Sequence, residues 1–271
     1  MIDRTMSDAP LFAERPDRTR RFGSVDRVYG QAATQFLAQS HVLIAGIGGV
    51  GSWAAEALAR SGIGQITLVD MDHVAESNIN RQVHALDSTL GQAKVSAMRN
   101  RIALINPDCC VVESDVFVET GNVQDTISPA ADVVLDCTDQ LTAKLAMVLC
   151  CRQREQALLV CGAAGGKTDA LTLKSGDLRD ATHDALLARL RTTLRKQHGF
   201  APARLKRPAK LGVDVLWFSE PTQRPLTFNA QEAAQSPLAC AGYGSLVTVT
   251  AAMGFAAAAR AIDVLVKSST V

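Results

Sequence analysis

The first half of the chain alternates short, unbroken apolar runs with longer stretches whose apolar residues recur every three or four positions. Val42–Ala45 is one such run, and it leads into Gly46-Ile-Gly48-Gly49-Val-Gly51. A short apolar run closed by a turn reads as a strand buried on both faces. Ser52–Ser61 then carries Trp53, Ala54, Ala57 and Leu58 at helical spacing, and Gly62-Ile-Gly64 stops it. Gln65–Val69 is a second buried strand, ending at Asp70. Strand, helix and strand make one βαβ unit of about thirty residues.

The alternation continues with a helix over Lys94–Ile105, closed by Asn106-Pro107, and strands over Cys110–Glu113 and Asp132–Leu135, the latter ending at Asp136. A helix at Ala143–Arg154 and a buried strand at Ala157–Cys161 follow. After Gly162 the texture changes. Leu171–Lys174 and Val213–Ser219 read as strands of an antiparallel extension, with a helix at Thr182–Gln197 and a loop carrying Pro202 and Pro208 between them. A loop over Glu220–Pro237 is expected to cover a site, and a last helix at Ser245–Val266 closes the structure. The fold class is therefore α/β: a Rossmann-like, doubly wound, mainly parallel sheet with a C-terminal antiparallel extension and a closing helix.

Composition changes this picture little. The chain has 271 residues, 47% hydrophobic, which suffices for a filled core, and its net charge of +1 gives no global signal for nucleic acid or membrane. Seven cysteines, most of them in apolar runs and with no secretion signal, read as reduced thiols of a cytoplasmic protein. Residues 1–20 mix Asp, Arg, Pro and Ser and are expected to form a disordered tail. Residues 241–259 are uncharged and invite a membrane reading, but Gly242, Ser245, Thr248 and Thr250 favour a buried core helix.

The glycine-rich turn between strand and helix lets backbone approach a phosphate at a helix N-terminus. Asp70, at the tip of the next strand, is positioned to accept hydrogen bonds from ribose hydroxyls. These two features fit NAD and ATP equally, so an NAD-binding oxidoreductase stays open at this point. The Walker pattern is absent. What tips the balance is Asp70-Met-Asp72, Asn78, Asn80-Arg81-Gln82, Gly91-Gln-Ala-Lys94 and Asp136-Cys-Thr-Asp139. Two cations and a further acid suit adenylation, where triphosphate charge must be offset and a carboxylate must hold Mg²⁺ as pyrophosphate leaves.

The run from Gly46 to Asp139 resembles the ubiquitin-activating-enzyme-like superfamily, which adenylates the C-termini of ubiquitin and of bacterial sulfur-carrier proteins. The resemblance implies that Gly46, Gly48, Gly49 and Gly51 bind the nucleotide together with Asn78, and that Asp70 holds the ribose. It implies that Arg81 and Lys94 contact phosphates and that Asp139 ligates Mg²⁺ beside ATP. Gln140 replaces the Asn usual in the family. An N-terminal arginine reaching across a homodimer is also implied, with Arg21 and Arg27 as candidates. The sulfur-carrier branch carries two Cys-x-x-Cys pairs for zinc, and this chain has no such pair.

The C-terminal half resembles another branch, the tRNA threonylcarbamoyladenosine dehydratases. The matching stretches are Gly162-Ala-Ala-Gly165-Gly166-Lys167-Thr-Asp169, the segment from Asp177 to Asp184, Lys210-Leu-Gly212-Val-Asp214-Val and Cys240-Ala-Gly242-Tyr-Gly244-Ser. One adenylating domain over 21–271 is then expected, with a nucleotide-binding half at 21–162 and a substrate-binding half at 163–271. The resemblance implies ATP-dependent cyclisation of threonylcarbamoyladenosine through an acyl adenylate, with tRNA as partner and no DNA. Adenylation of a sulfur-carrier C-terminus is the alternative, and a sulfur-relay protein partner is left open. Cys240 is a candidate acyl carrier beside the commoner reading of a structural thiol.

Between Ala185 and Val213 stand eight cations and no acid: Arg189, Arg191, Arg195, Lys196, Arg204, Lys206, Arg207 and Lys210. Leu186, Leu187, Leu190 and Leu194 form the expected buried stripe of the helix, with Arg191, Arg195 and Lys196 facing out. With tRNA implied as substrate, these cations read as phosphate contacts rather than as a merely solvated face.

Overall fold

The computed structural model describes residues 17–200, 209–223 and 243–269. Helix α1 (Arg18–Tyr29) begins inside the span expected as a tail, because the Asp17 side chain accepts from the N–H groups of Thr19 and Arg20 and caps it. After α2 (Gln31–Leu37) come β1 (His41–Ala45), α3 (Gly51–Arg60), β2 (Gln65–Val69), α4 (Lys94–Ile105) and β3 (Cys110–Ser114). The chain continues through α5 (Val123–Thr126), β4 (Val133–Asp136), α6 (Leu141–Gln153) and β5 (Ala157–Cys161). It then forms β6 (Leu173–Asp177), α7 (Ala185–Gln197), β7 (Asp214–Phe218) and α8 (Val247–Ser268).

The seven strands lie in the order β3-β2-β1-β4-β5-β7-β6. β6 and β7 form the expected antiparallel pair, and β7 joins it to the sheet by running parallel to β5, Val160 facing Val215. β6 starts later than expected, since the Asp169 side chain accepts from the Leu171 N–H and holds that residue in a tight turn. α7 starts at Ala185 rather than Thr182, because Asp184 Oδ1 accepts from the Leu187 N–H as its cap.

One sheet face is covered by α3, α4 and α8, the other by α6 and α7, as the two-sided apolar strands require. α8 is long and apolar enough to cross a membrane, yet Val249, Met253, Ala257, Ala261 and Leu265 form a buried stripe against the sheet and α3. Its contact with α3 is very close. A Cβ on Gly254 would lie 2.5 Å from the Val50 carbonyl oxygen and 2.8 Å from the Trp53 Cβ. Gly254→Val therefore forces the two helices apart. Overpacking of this kind costs about 1–3 kcal/mol, which lowers the melting temperature by roughly 3–10 °C in a domain of this size. An unchanged melting curve would contradict this contact.

Candidate functional site

β1 lies between β2 and β4, so the chain leaves the sheet in opposite directions on its two sides and opens a crevice at the strand tips. A cavity of about 440 Å³ fills that crevice. Its floor is the glycine turn after β1. Gly46 has φ +86, and a Cβ there would lie 2.9 Å from the Cys137 carbonyl group and the Thr138 nitrogen. A Cβ on Gly51 would overlap the Gly46 carbonyl oxygen. Only glycine at both positions lets the turn fold this tightly against the tip of β4. Gly48, Gly49 and Val50 line the cavity, and no side chain caps α3, so its N-terminal N–H groups remain for an anion.

Asp70 closes the turn from the other side. Its Oδ2 accepts from the Ile47 N–H at 2.6 Å and its Oδ1 from the Asp72 N–H at 2.8 Å. Burial pushes its carboxyl above the usual carboxylate range, while the Lys94 ammonium and these N–H groups pull the other way. Lys94 is buried at the start of α4, with Nζ 2.6 Å from Asp72 Oδ2 and 4.0 Å from Asp70 Oδ1. The Lys94 N–H also donates to the Asp72 carbonyl oxygen, which fixes α4 against the tip of β2. Asn78 accepts from the Ala75 N–H. The Arg81 guanidinium donates to Ser77 O at 2.7 Å and to Asn80 Oδ1 at 3.0 Å.

Across the cavity, Asp139 is half-buried, and its carboxylate takes no hydrogen bond or ion pair among the described residues. A free hard-oxygen ligand beside a triphosphate site fits Mg²⁺, which is held by one or two carboxylates together with substrate phosphates. Gly46, Gly48, Gly49, Asp70, Asn78, Arg81, Lys94 and Asp139 thus share one cavity, with Gly51 shaping its floor.

Other expected site residues lie elsewhere. Arg21 donates to Ile105 O and Arg27 to Gly23 O, and neither reaches the cavity within this chain. Arg191 does not face out. It is half-buried and donates to the carbonyls of Leu178 and Ala181, and burial lowers its pKa. Arg195 is half-buried too, with Nε and Nη2 lacking partners among the described residues. Leu186 is only half-buried and lines the cavity instead of joining the stripe. Arg189, Lys196 and Lys210 are exposed. Cys240, Arg204, Lys206 and Arg207 lie outside the described residues, as does most of the Glu220–Pro237 loop.

Three groups near the site escaped the sequence reading. Asp136 and Lys144 form a fully buried ion pair at 3.0 Å behind Asp139. The signal was a single cation inside the otherwise apolar Ala143–Cys151 run of α6. Asp184, besides capping α7, accepts from the Ala163 N–H at 2.8 Å and pins the tip of β5 at the cavity wall. Buried Lys167 donates to His183 O at 2.9 Å and to Glu220 O, tying three loops together.

A model of the ThiF family matches residues 22–271. The tRNA threonylcarbamoyladenosine dehydratase of Escherichia coli is 42% identical over 250 residues, covering 90% of this chain and 92% of that protein. The enzyme of the same name from Haemophilus influenzae is 36% identical over 253 residues, covering 93% and 95%. A crystal structure of the Escherichia coli tRNA N6-threonylcarbamoyladenosine dehydratase in complex with ATP superposes with a TM-score of 0.83 at 39% identity, covering 93% and 96% of the two chains.

Behind Lys94 lies His84, fully buried, with both ring nitrogens unpartnered among the described residues. Burial, helped by the nearby charges of Lys94 and Arg101, lowers its pKa from 6.5 to about 4. The unfolded chain therefore takes up a proton near pH 6.5 that the folded one refuses until about pH 4, so stability falls as pH drops through that window. Between pH 7 and pH 5, His84 accounts for a loss of about 2 kcal/mol. Chemical denaturation of His84→Leu at both pH values should show a correspondingly smaller loss than the parent. Equal losses would remove His84 as the source.

Proposed function

Because the chain belongs to the ThiF family, we propose that it carries out that family's carboxylate adenylation on tRNA: ATP-dependent dehydration of threonylcarbamoyladenosine. The observation that carries the reading is the cavity itself, with buried Lys94 and the Arg81 guanidinium on one wall and on the other Asp139, unpartnered among the described residues. Similarity to the dehydratases spans both halves of the chain, which neither a sulfur-carrier adenylating enzyme nor an NAD-binding oxidoreductase would require.

ATP lies along the glycine turn with its ribose hydroxyls at Asp70 and its phosphates toward Lys94 and Arg81. Asp70 accepts these bonds while keeping the Ile47 N–H, since a carboxylate offers about four acceptor directions. Asp139 would hold the Mg²⁺ that accompanies ATP, and the ion would offset phosphate charge there. The threonyl carboxylate oxygen attacks the α-phosphorus, the bond to the bridging oxygen breaks, and pyrophosphate leaves with its negative charge met by Lys94 and Arg81. A nucleophile on the same threonylcarbamoyl group then attacks the acyl carbon, closes a five-membered ring and expels AMP. The net change is loss of one water from the nucleoside. Ring closure is intramolecular, so the protein's part is to orient the group and stabilise charge.

A homodimer is part of the proposal. Exposed Val28 and Tyr29 on α1 and Phe255 on α8 border an apolar groove with Ala259 and Ile262, a surface suited to a second copy. An arginine of α1, Arg21 or Arg27, would reach a nucleotide only across such an interface. A cytoplasmic location follows from the tRNA substrate. Incubating the protein with ATP, Mg²⁺ and threonylcarbamoyladenosine-bearing tRNA should yield AMP, pyrophosphate and a nucleoside lighter by one water. Lys94→Ala should slow this by roughly 10²-fold or more. No product with any modified tRNA would end the proposal.

For tRNA phosphates, the available cations are Arg189, Lys196 and Lys210, joined by Arg204, Lys206 and Arg207 from the same basic stretch. Arg191 and Arg195 act on packing. Each phosphate contact contributes about −0.7 to −0.9 to the slope of log affinity against log salt. Changing Arg204, Lys206 and Arg207 together to Ala should flatten the slope by roughly two to three and leave ATP binding intact. An unchanged slope would take this segment out of the RNA contact.

A further inference from the structure

We propose that Lys144 is a positioning residue for adenylation: through Asp136 it fixes the turn that carries Asp139. The inference rests on the proposed carboxylate adenylation. Among the described residues Asp139 has no partner of its own, and Gln140, at the N-cap of α6, makes no side-chain cap bond. The turn is held from behind. Asp136 Oδ1 accepts from the Thr138 N–H at 3.1 Å and from the Thr138 hydroxyl at 2.7 Å. The same oxygen is 3.0 Å from Lys144 Nζ, which also donates to the Cys161 carbonyl at 2.7 Å. One ammonium therefore ties together the tip of β4, the tip of β5 and the first turns of α6.

Stability alone is a poor reason for this arrangement. Both side chains are 0% exposed, and taking two charges fully out of water offsets most of their attraction. A well-packed apolar pair of similar size is often as stable or more so. Asp136 Oδ2 is buried without a partner among the described residues, so the carboxylate is not even fully satisfied. What the pair supplies is a single geometry. Thr138 is bonded to Asp136, Asp136 is fixed by Lys144, and the next residue is Asp139. A lysine in the first turn of α6, too deep to line the cavity, thus sets where the carboxylate stands on the cavity wall.

Lys144→Met alone strands a buried carboxylate and can unfold the chain, so the decisive variant is the double change Asp136→Asn with Lys144→Met, compared with Lys144→Arg. The first readout is hydrogen–deuterium exchange of the ligand-free protein at residues 137–140. The second is binding of a fluorescent ATP analogue as Mg²⁺ is varied. The double variant should melt near the parent and bind the analogue without Mg²⁺ within about threefold, yet need about tenfold more Mg²⁺ and exchange the turn amides faster, the lower end of the effect of losing a group that orients a metal ligand. Lys144→Arg should restore both. A folded double variant with parental exchange and parental Mg²⁺ dependence would overturn the inference. Amide exchange in the absence of ligand is independent of substrate, so failure of the parent protein to turn over tRNA would count against the proposed function alone.

Discussion

The contact between the glycine turn of β1 and the tip of β4 is the constraint from which the site follows. The two strands are far apart in sequence but adjacent in the sheet, and Gly46 sits so close to Cys137 and Thr138 that no side chain fits between them. The Cys137 N–H donates to the Ala45 carbonyl across the same seam. Asp70 clamps the turn from the β2 side through the Ile47 N–H. The N-terminus of α3, the acidic tip of β2 and the Asp136–Asp139 turn are thereby brought to one crevice. Each would be an ordinary strand end if the turn were looser by one methyl group.

Charge is layered around that seam. Lys94 is buried between Asp70 and Asp72, so the cation at the cavity wall is pre-paired by carboxylates that an incoming triphosphate can compete with. Burial raises the Asp70 pKa, while the Lys94 ammonium and the Asp72 and Ile47 N–H groups favour its ionised, hydrogen-bond-accepting form. A second buried pair, Asp136 and Lys144, stands behind the opposite wall. The cavity therefore has a cationic side and an anionic side, and the proposed adenylation needs both.

The sheet was legible because its strands are short apolar runs bounded by glycine and acid, and α4 and β5 have the bounds that the pattern predicts. The antiparallel β6–β7 pair was legible as well, but its parallel join to β5 was not, because pairing across the far edge of a strand is decided by packing and not by local pattern. The cavity's polar wall was legible too, since Asp70, Arg81, Lys94 and Asp139 all stand at the ends of elements. Lys144 was hidden because its chemistry depends on Asp136 and on the Cys161 carbonyl, contacts that no local spacing encodes. Arg191 was misread for a related reason. A helical wheel places it at the flank of the Leu187–Leu190–Leu194 stripe rather than opposite it, and the side chain is long enough to turn back to two carbonyls.

In the proposed reaction the threonyl carboxylate is activated by transfer of AMP and not of phosphate. The most direct measurement uses tRNA whose threonyl carboxylate carries ¹⁸O, a single round of reaction with ATP, and mass spectrometry of the phosphate products. Attack at the α-phosphorus leaves one labelled oxygen on AMP, with pyrophosphate unlabelled. Label in inorganic phosphate beside ADP, or unlabelled AMP with full conversion of the nucleoside, would contradict the acyl adenylate.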